Sequence, residues 1–237
     1  PAVGRVLLLS VISGKDLDAT RARLDSAQKS LGAALRNSME RGHTPEAMMT
    51  IASDPWSEIE RVADSHGCES VLLGFSEVPK DASGSRLEGL LSKVESDIVV
   101  LRAPENWALE EVKRILVPIG GRGVHDSLRA RLLGSIARQL KCEVTFLQVM
   151  PESAPQSELA ETKVSLERLA AEEAKGRHRA EVITSTDVKA ALVHAAAEHD
   201  LVVLGLQRVG RRRRIFGDLA IRIADETGTA TVMISRR

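Results

Sequence analysis

The residues best suited to do chemistry lie in one run, Asp200-Leu-Val-Val-Leu-Gly-Leu-Gln-Arg-Val-Gly-Arg-Arg-Arg-Arg-Ile-Phe-Gly217, followed directly by Asp218. An apolar segment stops at Gly205; a basic loop with Arg208, Gly210 and Arg211 follows; Gly217 then opens a helical pattern. A backbone of this shape can hold phosphate, because loop N–H groups and a helix N-terminus both favour anions. A second glycine cluster, Gly120-Gly121-Arg-Gly123, also follows an apolar run, and it reads either as a tight turn or as a phosphate cradle. The arginines, Arg208 and Arg211 to Arg214, have three readings. They form a solvated loop face, a site for anionic lipid headgroups or phosphate, or a contact for an acidic partner surface.

Other chemistries find less support. The six histidines stand at 43, 66, 125, 178, 194 and 199, and His194 and His199 are five apart, which does not share a helix face. No metal-ligand spacing emerges. There is no Gly-x-Ser-x-Gly elbow and no Gly-x4-Gly-Lys-[Ser/Thr] loop, and Gly84-Ser85 sits in a polar stretch without a flanking strand. No pair of carboxylates is placed in a cleft by spacing alone. The chain therefore reads as non-enzymatic, with no metal. Cys68 and Cys142 each begin an apolar run and read as reduced structural thiols of a cytosolic setting.

Formal net charge is zero, but unevenly spread. Residues 1–104 carry 12 Lys and Arg against 15 Asp and Glu; residues 113–237 carry 21 against 15. The second half is the better candidate for an anionic ligand. With three Phe, two Trp and no Tyr, the stacking aromatics and basic footprint of a nucleic-acid binder are missing. Apolar runs reach about eight residues, against the ~20 needed to cross a bilayer.

The elements that must position these residues alternate. Continuous apolar runs at 4–12 and 68–75 read as buried strands, the first of them parallel, with further strands at 44–52, 97–104, 113–120, 142–150, 178–185, 200–206 and 230–235. Between them lie helical patterns at 16–41, 125–140, 156–176, 187–199 and 218–227, a helix opened by Asp54-Pro55, and a short one through Leu87, Leu90, Leu91 and Val94. Gly42 reads as a helix stop. Strand–helix alternation implies an α/β fold with a parallel sheet covered on both faces.

The two halves repeat. Val6-Leu-Leu-Leu-Ser-Val-Ile12 matches Val144-Thr-Phe-Leu-Gln-Val-Met150; Val71-Leu-Leu-Gly74 matches Val202-Val-Leu-Gly205; Ile98-Val-Val-Leu101 matches Thr231-Val-Met-Ile234. This divides the chain into a repeat at 1–104, a linker at 105–112 and a repeat at 113–237. Trp107 in the linker reads as an anchor rather than a ligand stack. The strand–helix unit at 113–140 has no counterpart ahead of Val6, so the first repeat enters at its second strand. Loss of a central strand exposes edges, and upstream residues, another chain or an unusual pairing is expected to fill the gap.

On these pieces (Arg114-Ile-Leu-Val-Pro-Ile119, Val144-Thr-Phe-Leu-Gln-Val149, and Val202-Val-Leu-Gly205 with its loop, short helix and final strand) the chain resembles the universal stress protein family in a tandem form. The resemblance implies strand order 3-2-1-4-5 in each domain, the first lacking its first strand and helix here, and pairing of domains through their last strands. Some members bind ATP or AMP and others do not. Those that bind carry Gly-x2-Gly-x9-Gly-[Ser/Thr] after the fourth strand. Counted from Gly205, the second glycine falls on Arg208 and the last pair on Asp218-Leu219; Gly217-Asp218 fits only with a one-residue deletion. The strand-one aspartate of the family aligns with Gly120. In the first repeat, Gly74 leads to Glu77 and Leu87-Glu88, so the pattern is missing. The resemblance thus implies a vestigial site at Gly120, Gly121, Gly205, Arg208, Gly210, Arg211, Gly217 and Asp218, with no cofactor, or ATP or AMP as the alternative. Tandem domains of this kind occur in cytoplasmic C-terminal regions of amino-acid permeases and cation–chloride cotransporters. That context implies a homodimer on the cytoplasmic face, the transmembrane part of the same polypeptide as partner, an anionic lipid or acidic surface at Arg211–Arg214, and no nucleic acid.

Overall fold

Among the described residues, strands and helices form where the apolar patterns place them, except for a short ribbon in the basic stretch; the helix expected through Leu87, Leu90, Leu91 and Val94 lies mostly outside those residues. The computed structural model describes residues 5–13, 17–75, 89–90, 93–120, 126–205, 207–209, 212–214 and 218–236. They fall into two compact units, Pro1–Cys68 and Glu69–Arg237.

The first unit holds β1 (Leu7–Ser13), α1 (Leu17–Glu40), β2 (Glu46–Ala52) and α2 (Pro55–Ser65). β1 and β2 pair in parallel, from Leu7 opposite Glu46 to Ser13 opposite Ala52. α1 stops at Gly42, whose φ of 79° suits glycine. The Gly42 N–H donates to Met39 O at 2.9 Å and the His43 N–H to Ser38 O at 3.0 Å. These are the two bonds of a Schellman cap, which satisfies the last carbonyls of the helix. Asp54 caps α2, its carboxylate accepting from Trp56 N at 3.2 Å and Ser57 Oγ at 2.7 Å, with Pro55 in the first turn. β1 is only half-buried apart from Ile12, although its apolar run predicts full burial. Among the described residues its sheet has two strands, so β1 has one strand neighbour there.

The second unit holds β3 (Ser70–Phe75), β4 (Asp97–Arg102), β5 (Arg114–Pro118), α3 (Ser127–Gln139), β6 (Glu143–Met150), α4 (Gln156–Glu173), β7 (Arg177–Thr184), α5 (Val188–Ala197), β8 (Leu201–Gly205), β9 (Gln207–Val209), β10 (Arg212–Arg214), α6 (Asp218–Thr227) and β11 (Ala230–Ser235). Seven strands form one sheet in the order β3-β4-β11-β8-β5-β6-β7. Every pairing in it is parallel except β4 with β11. Numbered within the second half, the last five strands run 3-2-1-4-5, as expected. Val100 pairs with Met233, and these are also the positions the sequence repeat equates. Like residues meeting like across an antiparallel pair is the geometry of a local two-fold. Arg102 reinforces it, its Nη1 donating to Gly228 O and Thr229 O at 3.1 Å each.

The core lies around the central strands. Ile115, Leu116, Val117, Phe146, Val202 and Val203 are fully buried, and so are all six residues of β11 or nearly so. Each such side chain contributes about 1.5–3 kcal/mol of transfer free energy.

Candidate functional site

The candidate site is built on the neighbouring strands β5 and β8, which pair through Ile115–Leu201 and Leu116–Val202. From β5 the chain passes through α3 to β6 on one side; from β8 it passes through α6 to β11 on the other. Their carboxyl ends therefore flank the switch point of the sheet, where an open α/β sheet leaves a crevice. Gly120 follows β5 and Gly205 ends β8, so the structure brings these two expected residues to the same edge. Both are exposed. Among the described residues, a Cβ added at either would meet nothing within 4 Å.

The frame beneath is held by polar groups at the strand and helix ends, of which sequence reading singled out only the Trp107 anchor. The Asp200 carboxylate accepts the backbone N–H groups of Lys113 at 2.9 Å and Arg114 at 2.8 Å, and the Asp200 N–H donates to Arg114 O at 2.9 Å. This fixes the start of β5 against the start of β8. Trp107 packs on the same core and its Nε1 donates to Asp200 O at 3.3 Å, so the linker is anchored there. At the far side, Asp126 caps α3 by accepting from Leu128 N at 2.9 Å and Arg129 N at 3.2 Å. Arg129 and Glu173 form a buried pair, with Arg129 Nη2 2.7 Å from Glu173 Oε1, and the same oxygen accepts Asp126 N at 2.8 Å. One carboxylate thus joins the C-terminal end of α4 to the first turn of α3. Its sequence signal is faint: an arginine and a glutamate inside otherwise apolar helix faces.

The basic stretch is not only loop. Gln207–Val209 and Arg212–Arg214 pair as an antiparallel ribbon, with Arg208 opposite Arg213, Val209 opposite Arg212, and Gln207 opposite Arg214. The ribbon ends shortly before α6, whose first residue is Asp218. Gly121, Gly210, Arg211 and Gly217 lie outside the described residues, as do Gly84, Ser85, Glu77, Leu87, Glu88 and His125.

Among the described residues, no group of three His, Cys, Asp or Glu side chains could hold a metal ion, and no helix is long and apolar enough to cross a membrane. Burial pushes the Cys142 thiol above its ordinary pKa, which leaves it a poor nucleophile.

No protein-family model matches the chain, and no curated protein matches it. Solved structures do. A universal stress protein from Archaeoglobus fulgidus DSM 4304 superposes with a TM-score of 0.61 at 16% identity, covering 99% of this chain and 86% of its own. The fold is that of the universal stress proteins. The cytoplasmic domain of a prokaryotic cation chloride cotransporter has the same fold, with a TM-score of 0.58 at 13% identity over 98% of this chain and 84% of its own. In the universal stress fold seen here, the second half supplies a complete 3-2-1-4-5 sheet, and β3 and β4 extend it beyond its last strand.

Proposed function

We propose that the chain is a non-catalytic regulatory module: two universal-stress-type repeats from the cytoplasmic end of a membrane transporter, of the amino-acid permease or cation–chloride cotransporter kind. The observation that carries this reading is the likeness, over nearly the whole chain, to a transporter's cytoplasmic domain. Pairing of β4 with β11 about Val100 and Met233 supports two repeats joined through their last strands. The module works as a homodimer, and regulation means that one arrangement of the domains binds a partner or ligand better than another. The arginine ribbon faces the anionic surface of the membrane, where each basic residue adds about 1 kcal/mol. The test is sedimentation with phosphatidylserine vesicles. The chain binds them at low salt, loses them as salt rises, and binds at least tenfold more weakly after Arg211–Arg214 are changed to Gln. Equal retention on phosphatidylcholine vesicles contradicts the membrane-facing role.

A second reading is a soluble ATP- or AMP-binding protein using the crevice beside Gly120 and Gly205. It is favoured by the placement of both glycines at the same edge of the sheet and by the universal stress protein among the structural neighbours. Asp218 and the loss of the glycine spacing at Arg208 weigh against it.

A further inference from the structure

β7 is an outermost strand of the seven-stranded sheet, and among the described residues only β6 pairs with it. In a parallel ladder successive residues turn their N–H and C=O groups to opposite sides. Ser185 N, one residue past the strand, donates to Met150 O at 2.9 Å, so the odd-numbered residues of β7 bond with β6. His178, Ala180, Val182 and Thr184 therefore turn their backbone groups to the outer edge. At 8 residues β7 is as long as any strand of this sheet. An edge strand of that length is a template for pairing with another chain.

One acceptor on that edge is taken. Lys163 Nζ donates to Ala180 O at 2.7 Å. Lys163 belongs to α4, whose Leu166, Leu169 and Ala170 share a core cluster with Ala180, with Val182 packed against it. The helix that covers one face of β7 thus also sends a lysine to its edge. Glu167, one turn further along α4, has Oε1 3.9 Å from the same ammonium. An incoming strand would set an amide nitrogen about 2.9 Å from the Ala180 oxygen. The ammonium already stands there. Beside it the strand is apolar, with Val182 half-buried and Ile183 37% exposed. The nearest charge on β7 is committed elsewhere: Arg179 Nε lies 2.9 Å from Glu143 Oε1 and 3.2 Å from Glu181 Oε1.

We propose that Lys163 guards the outer edge of β7: by holding the Ala180 carbonyl it keeps this strand from pairing with β7 of a second copy of the chain. A lysine on an edge strand's open side is a general means of blocking sheet-to-sheet association. Here it is supplied by a neighbouring helix rather than by the strand itself. The role concerns contact at β7 alone, so it is independent of nucleotide and lipid and of any dimer formed elsewhere on the chain.

The test compares the intact chain with Lys163→Met, which keeps the aliphatic stem, and with Lys163→Arg, which keeps a donor. In Lys163→Met, hydrogen exchange at the Ala180 and Val182 amides is expected to slow at least about tenfold between protein at about 10 μM and about 1 mM. The average mass in sedimentation equilibrium rises with it. In the wild type and Lys163→Arg the same two amides are expected to change less than about twofold. Adding Val182→Pro to Lys163→Met removes an N–H that faces the edge, a place where proline is tolerated. It is expected to return the mass to that of the wild type. Absence of any concentration dependence at the two amides in Lys163→Met overturns the proposal. So does equal slowing in the wild type, which would make the edge an interface that Lys163 does not close. New association that survives Val182→Pro lies elsewhere than β7 and also overturns it.

Discussion

The Asp200 carboxylate meets three groups at one junction: it accepts the N–H groups of Lys113 and Arg114 and lies 3.9 Å from the Arg114 guanidinium. Asp200→Ala leaves two N–H groups without their acceptor and is expected to cost about 1–2 kcal/mol. Asp200→Asn, which keeps an acceptor oxygen, is expected to cost less; urea unfolding of the three proteins checks the order. The cysteines differ in a way their sequence positions do not reveal. Cys142 is 5% exposed with its thiol pKa raised by burial, so at pH 8 little thiolate forms, and iodoacetamide should modify it slowly until the protein unfolds. Half-buried Cys68 should react first, as mass spectrometry of a time course would record. Reaction at equal rates would mean that the β6 end of the core is open.

Among the elements, α3 and α4 depend on one buried ion pair. Arg129 is 7% and Glu173 1% exposed, so removing one partner leaves a charge in the core. Arg129→Ala is expected to lose about 3–5 kcal/mol, whereas the double change Arg129→Met with Glu173→Leu recovers much of that loss in thermal or urea unfolding. Equal losses for single and double variants would show that the pair acts through something other than charge. The strands and helices themselves were legible, because continuous apolar runs and 3.6-residue periodicity are properties of the chain alone. The Asp54 cap and the Gly42 stop were legible for the same reason: each acts through its own backbone and near neighbours. The ribbon of β9 and β10 was not. Gln207-Arg-Val209 and Arg212-Arg-Arg214 carry no apolar alternation, so charge concealed a strand pairing. The pair Arg129–Glu173 joins residues 44 apart, and no local pattern announces it.

At the scale of the molecule, fold and burial separate. The apolar runs of β1 and β3 predict buried strands, yet β1 is mostly half-buried and Leu72 is exposed. A sequence records what a strand is suited to pack against, and its burial also needs the neighbour to be in place. Of the candidate site, the strand-end glycines Gly120 and Gly205 lie at the same edge of the sheet, because topology alone places them there. Whether phosphate binds depends on charge and loop spacing beside them. There Asp218 is the first residue of α6, and arginine stands at position 208, where the resemblance implies glycine. The account rests on that site having lost its nucleotide. Titration calorimetry with ATP tests it most directly: the intact chain is expected to show no binding in the micromolar range, and Gly205→Leu the same trace. Micromolar ATP binding that disappears in Gly205→Leu would contradict the account and establish the crevice as a working nucleotide site.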